Sequence, residues 1–499
     1  MTFALRPLVA RLAAVFVITS AMGSAHAAFE LMAIGTLSGT GDLSGLTGTL
    51  ESGVAANVFG GMGSGLAWAG GGTFLALPDR GPNAVSYVGG AAVDNTTSYI
   101  ARFNTVSMGL THVPSAIPAG TLPYTLAPTM QSTTLLWSST PLNYGSTAGL
   151  ASGVPAQNTV GKYYFTGRSD GFAAGTSTNA NNARLDPESI RVAKDGQSVF
   201  VSDEYGPYVY QFNRATGERI RTYALPGDFA VANQSALGGN VGVAGTEIGG
   251  NTSGRVANKG MEGLAISPDG SKLFGIMQSP LLQDGGDTAA GKTNRIVQID
   301  ITTGATKEFA ISNSFGGKAY NNSDLVAIND NTLALLPRDG KGLGDGSSAK
   351  FKQIWSINLG KATDANDITG LTASTATGLF TGKQLLDTAL MLDPLALLKA
   401  AGYLDTQIPA KLEGLAFGED VDGYHTLYLS NDNDFVPGVA GDNKFYVFRF
   451  TDADLLAKGV TGGLVAQSIS AVPEPESGML ALTALGALAF IRRRSNRGH

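Results

Sequence analysis

Cysteine is absent from all 499 residues, which excludes disulfides, a thiolate nucleophile and any thiolate metal site, and leaves burial and sheet pairing to hold the fold. Histidine is almost as scarce. Only four occur, and with His26 and His499 in the terminal segments the body of the chain keeps just His112 and His425. Neither sits in a motif expected of a histidine phosphatase, a zinc centre lacks its usual ligands, and a serine triad would have to use one of this pair. Charge is thin as well: 15% of residues are charged and the net charge is -6, which argues against nucleic acid as a partner. The apolar runs near the two ends fall short of a full membrane span.

Glycine, by contrast, is abundant, with 67 residues, as a turn-rich all-β protein requires. The stretch Asp186 to Asn213, DPESIRVAKDGQSVFVSDEYGPYVYQFN, predicts a strand over Ser189 to Val192, a tight turn at Lys194-Asp195-Gly196 and a second strand over Ser198 to Ser202. An acidic corner, Asp203-Glu204-Tyr205-Gly206-Pro207, then leads to a third strand over Tyr208 to Phe212. The unit recurs. Ser64-Gly65-Leu66-Ala67 leads to TFLALPDRGP, Glu262-Gly263-Leu264-Ala265 to KLFGIMQSP, Ser323-Asp324-Leu325-Val326 to TLALLPRDGKG, and Glu413-Gly414-Leu415-Ala416 to TLYLSNDNDF, each followed by another strand. A sheet of this size cannot cover its own faces, so packing several around an axis is the economical solution. The expectation is one all-β domain, a β-propeller of five to seven blades. Six is preferred, because the first interval has room for a degenerate unit near Thr133 to Trp137 and Lys162 to Thr166.

The corners LPDRGP and VSDEYGP, with NKGMEGLAISPDGSKLFGIMQSPL, NNSDLVAINDNTLALLPRD and KLEGLAF, resemble the phytase-like family described as having esterase-like activity of phytase. The resemblance runs from about Ile34 to Phe450. It implies a propeller with phosphoester or ester hydrolysis as its activity.

The ends carry different signals. Met1 to Ala27 has two arginines, the run LAAVFVITSAM and a closing Ala25-His26-Ala27, the three-part pattern of a secretory signal peptide. Val472-Pro473-Glu474-Pro475, an apolar run from Met479 to Ile491 and Arg492-Arg493-Arg494 resemble the PEP-CTERM sorting signal of Gram-negative bacteria. That resemblance implies an exosortase as partner, with exopolysaccharide nearby, and a tail that is an address, cleaved off near the motif or embedded in the membrane through its short hydrophobic segment. The expected layout is a signal peptide over 1–27, a propeller over 28–455, a linker over 456–472 and the sorting signal over 473–499. Asp393-Pro394, LALLKAA and Gly402 predict a short helical insertion before the last blade, a packing element or a lid. Gly286 to Thr293 satisfies the P-loop pattern, but it precedes the strand-like RIVQID, and nucleotide binding is rejected on that context.

Glutamates open three units, at Glu188, Glu262 and Glu413. If first strands line the channel, these carboxylates converge and demand a cation or a proton. Calcium fits best, since it accepts many oxygen ligands in flexible geometry. Asp79, Asp203, Glu204, Asp324, Asp432 and Asp434 are further candidate ligands. Their alternative use is to cap turns by accepting from backbone amides. Arg80 and Arg338, with Lys259 as a possible third, suit phosphate oxygens; the alternative for each arginine is an inter-blade ion pair. The leading function is a metal-dependent phosphoric ester hydrolase acting on a small anionic or ester substrate outside the cytoplasm, as a monomer, with Arg80 and Arg338 holding the anion and Asp203 or Glu204 accepting a proton. The alternatives are a non-catalytic binding propeller of the cell envelope and a carboxylic esterase.

Overall fold

The structure, a computed structural model, describes residues 29–470 apart from 84–85, 88–89, 92–95, 115–120, 146–152, 170–171, 173–174, 233, 235–250, 290 and 361–384. The expected signal peptide and sorting signal lie outside the described residues. The predicted turn at Lys194-Asp195-Gly196 forms. Gly196 takes a φ of 69°, which glycine enters without steric cost, and strands Pro187–Val192 and Ser198–Asp203 pair antiparallel across it. Tyr208–Asn213 and Arg219–Ala224 complete a four-stranded sheet.

The other units fold the same way, giving five four-stranded blades. Blade I runs Gly65–Trp68, Thr73–Leu77, Arg102–His112 and Tyr124–Leu135. Blade II is the sheet just described. Blade III runs Met261–Ile266, Lys272–Met277, Thr293–Asp300 and Thr306–Ser312, and blade IV Asn321–Asn329, Thr332–Arg338, Ile354–Asn358 and Asp387–Leu392. Blade V has Leu412–Phe417, His425–Asn431 and Asn443–Phe450 from the C-terminal part, and borrows its outermost strand, Glu30–Leu37, from the N-terminal part. This borrowed strand ties the beginning of the fold to its end and leaves no seam between blades V and I. The first strand of every blade abuts the first strands of both neighbours, closing a ring about one axis.

The range of five to seven blades holds, and the preferred count of six is corrected to five. Thr133 to Leu135 belongs to the fourth strand of blade I, and Trp137–Ser138 pairs with Tyr163–Tyr164 as a two-stranded ribbon, with a single parallel bridge from Trp137 to Glu218. The helix Pro394–Ala400 stands before the last blade as predicted, with Asp393 accepting from Ala396 N at 2.8 Å. Its Leu398 is buried among Leu336, Ile354 and Leu412, so it packs the core between blades IV and V. The P-loop-like segment runs directly into the strand Thr293–Asp300. No helix among the described residues is long and apolar enough to cross a membrane.

One ion pair sits on the axis. Arg191 donates to Asp324 Oδ2 at 2.7 Å, and also to the carbonyls of Leu66 at 2.7 Å, Ile190 at 2.5 Å and Leu325 at 2.8 Å. Asp324 in turn accepts from Ser189 Oγ at 2.8 Å, Leu264 N at 3.3 Å and Leu415 N at 2.9 Å. Those partners come from all five blades. Asp324 is therefore structural, and its assignment as a metal ligand is corrected. Its equivalents in blades III and V are Gly263 and Gly414, for lack of room: a Cβ on Gly414 would lie 2.5 Å from Ser430 Oγ and 2.9 Å from Gly63 O.

The stretch expected as a linker is, up to residue 470, seated on the propeller. Asn329 Nδ2 donates to the carbonyls of Thr461 and Gly463, Val465 N to Ile328 O, Gln467 Nε2 to Val192 O and Ser470 N to Lys194 O. This strap crosses the end of the channel where the first strands finish. With Leu66, Arg191, Val326 and Ala416 it lines a pocket beneath the axial pair.

Two stability measurements follow. Removing one partner of a buried ion pair strands the other's charge, so Asp324→Ala should cost about 3–5 kcal/mol in denaturant unfolding; a loss below about 1 kcal/mol would remove the pair from its central role. A chain ending at residue 470 should melt like one ending at 499, whereas a chain ending at 460 should melt several degrees lower, and equal melting of all three would show that the strap adds nothing.

Candidate functional site

A polar cluster forms at the channel mouth opposite the strap. Its placement begins with backbone register. In blades II to V the pairing of first and second strands shifts at the first strand's start, between Pro187 and Ile190, Met261 and Gly263, Asn322 and Leu325, and Leu412 and Leu415. Each irregularity spans the residue that opens the repeat, and bulges of this kind re-aim a side chain. Glu188, Glu262 and Glu413 are thereby buried at the same end of the channel. A residue at the end of each second strand or one or two positions beyond it forms another tier: Asp79, Glu204, Gln278, Arg338 and Asp432. The tiers interlock, with Gln278 donating to Glu262 Oε1 at 2.7 Å and Arg338 to Ser323 Oγ at 2.8 Å and to Glu413.

The three glutamates share one electrostatic neighbourhood. Burial raises Glu188 well above the ordinary carboxylate range, and Glu262 is the strongest charge adding to that rise. Burial and then Glu413 push Glu262 up to about 8, against the pull of Arg338. Glu413 is raised by burial, with Arg338 opposing. They do not form one three-glutamate pocket. Glu413 is held by Arg338, and the groups whose oxygens approach closely enough to share a metal ion are two others: Asp186, Glu188 and Glu204, and Asp79, Asp432 and Asp434.

These two groups differ. Lys411 donates to Asp432 at 2.9 Å and also to Asp434; burial notwithstanding, it holds Asp432 below the usual range. In the first group Arg80 donates to Asp186 at 3.3 Å from its guanidinium and 3.0 Å from its backbone N–H, and the charges of Arg80 and Arg255 both oppose the rise that burial imposes on Glu204. Beside that group, Glu262 Oε2 is buried without a hydrogen-bond partner, in a residue 4% exposed. An unsatisfied buried carboxylate oxygen is costly. Three residues of this mouth, Asn258, Asp434 and Phe435, hold positive φ of 53°, 52° and 58°, a strain that clusters where surroundings over-determine the backbone.

Other expectations resolve individually. Arg80 and Arg338 both make inter-blade ion pairs, to Asp186 and Glu413, while flanking the mouth. Lys259 pairs with Asp287 instead. Asp203, raised to about 7 chiefly by burial, accepts from the backbone N–H groups of Asp186 and Tyr205. It caps its corner, so its proton-acceptor role is corrected; Glu204 does face the mouth, accepting from Gly260 N at 3.0 Å. His425 sits between Asp420 and Asp452, and His112 against Tyr124. Sequence reasoning missed Asp186, Lys411 and Arg191. Asp186 and Lys411 precede the first strands of blades II and V by one residue, so carrying the repeat alignment one position upstream exposes both; Arg191 stands where the other units have alanine or valine.

In the metal-free protein the raised carboxyls make stability depend on pH. Unfolded, Glu262 titrates near 4.3; folded, at about 8. Between these values the folded state holds a proton the unfolded chain has released, so stability falls as pH rises through that window. With chelator present, the melting temperature should be lower at pH 8 than at pH 5, and Glu262→Gln should shrink the difference. An undiminished drop in the variant would remove Glu262 as a source of the strain.

The sequence profile described as "Phytase-like: Esterase-like activity of phytase" matches residues 57–435. An uncharacterized secreted protein of Arthroderma benhamiae is 29% identical over 255 residues, covering 49% of this chain and 46% of that protein; the match thus spans about half the length of the curated relative. Among solved structures, a periplasmic gluconolactonase of Pseudomonas aeruginosa is similar at 12% identity and a TM-score of 0.31, covering 84% of this chain and 95% of its own. The calcium-binding protein regucalcin of Agrobacterium tumefaciens is similar at 9% identity and a TM-score of 0.27, covering 84% and 96%.

Proposed function

This chain belongs to the phytase-like family, and from that premise we propose that it is an exported, calcium-dependent hydrolase of phosphate esters working at the carboxylate mouth. The observation that carries the reading is the partnerless Glu262 oxygen beside Asp186, Glu188 and Glu204. Buried acids short of neutralising charge fit a divalent cation, and an all-oxygen donor set favours calcium. When bound, the cation supplies a positive charge that polarises a phosphoryl oxygen and lowers the pKa of a nearby water. Asp186, Glu188 and Glu204 would hold it. Arg80 and Arg338 stand on either side of the mouth and orient the anion through guanidinium N–H groups. Glu262, pushed up to about 8 and with Oε2 free, takes and returns the proton near neutral pH. Export is in keeping with the secreted relative. The residues beyond 472 are proposed as an address read by an exosortase, which delivers the protein to the envelope or its exopolysaccharide.

The test is turnover by the purified mature chain on phosphomonoesters, phytate and carboxylic esters, with calcium and with chelator. Calcium-dependent release of phosphate is expected, and Glu262→Gln should lower kcat by about 10²–10⁴ with calcium affinity retained. Hydrolysis of carboxylic esters alone would make it an esterase; no turnover on any substrate would overturn the hydrolase reading in favour of a binding propeller.

A further inference from the structure

The mouth contains two groups of three carboxylates, yet the protein treats them differently. We propose that it takes one divalent cation, at Asp186, Glu188 and Glu204, and that the ammonium of Lys411 permanently fills the place a second ion would occupy among Asp79, Asp432 and Asp434. The inference rests on the metal reading above and adds to it the number and position of the ions.

The two groups are built from equivalent parts. Glu204 and Asp432 both stand one residue after second strands, and Asp186 and Lys411 one residue before first strands. What is an acid in blade II is a lysine in blade V. Lys411 Nζ lies 2.9 Å from Asp432 Oδ2 and also bonds Asp434, so a cationic group already sits among those oxygens. A metal entering there would have to displace an ammonium held by two carboxylates, leaving it unpaired beside a dication. No lysine reaches the first group among the described residues. Arg80 bonds Asp186 and is also engaged by Asn258 and Asn83, and Arg255, whose charge reaches Glu204, also donates to Tyr205 O at 3.1 Å, so the cations near this group are arginines shared with other partners. The buried Glu262 Oε2, partnerless beside them, is the independent sign that something is received on this side.

Calorimetric titration of the purified protein with calcium chloride counts the ions. The wild type should bind one. Glu188→Gln should bind none, and Asp434→Asn should still bind one, because its group is served by Lys411. Lys411→Gln should bind two, and adding Asp434→Asn to it should return the count to one. A wild-type count of two, a loss of binding in Asp434→Asn, or a Lys411→Gln protein that stays at one would each overturn the lysine's role. No binding by the wild type would overturn the metal reading itself. Should Lys411→Gln fail to fold, the contrast between Glu188→Gln and Asp434→Asn still decides which group receives the ion.

Discussion

Arg191 and Asp324 form the contact on which the remaining architecture depends. Neighbouring blades otherwise meet through apolar faces such as Leu75, Leu77, Ile190 and Val201, and apolar packing is tolerant of small displacements. The axial pair is not tolerant. Its hydrogen bonds have fixed directions and reach every blade, so it sets where each first strand stands relative to the other four. Buried ion pairs add little net stability against an apolar replacement, but breaking one is severe, which suits a device that specifies arrangement. The pair also divides the channel, separating the acidic mouth from the apolar pocket under the strap.

Above that partition the protein concentrates carboxylates in a place poor in water. Arg338 answers Glu413, Lys411 answers Asp432 and Asp434, and Arg80 answers Asp186. The compensation is uneven: blades IV and V are nearly neutralised, while Glu188, Glu204 and Glu262 remain short of positive charge. A fold optimised for stability alone would place amides there, as blade III does at Gln278. Retaining acids at the price of stability is the mark of a site.

Much of this was legible in the chain. Asp-Gly turns, alternating strands and the recurring starts such as Glu-Gly-Leu-Ala are local signals, and they located every blade and the mouth acids Glu188, Glu262 and Glu413, with Asp79, Glu204, Asp432 and Asp434 read from the corners. What escaped was non-local or ambiguous. Glu30–Leu37 reads as an ordinary apolar stretch, and nothing within it announces a partner more than 400 residues away at Arg449. Asp324 looked like another acid of the ring, but it stands one residue further along than the glutamates, and in a strand one residue is the difference between two faces. The sixth blade was inferred from length alone; the long outer strand Tyr124–Leu135 and the loops after it consume those residues instead.

The strap has a directional consequence. It holds the chain against the face opposite the acidic mouth, and the last described contact, Ser470 N to Lys194 O, lies on that face. The entrance to the carboxylates and the point where the described chain ends are therefore on opposite faces of the propeller, so the strap closes one end of the channel and leaves the other unobstructed.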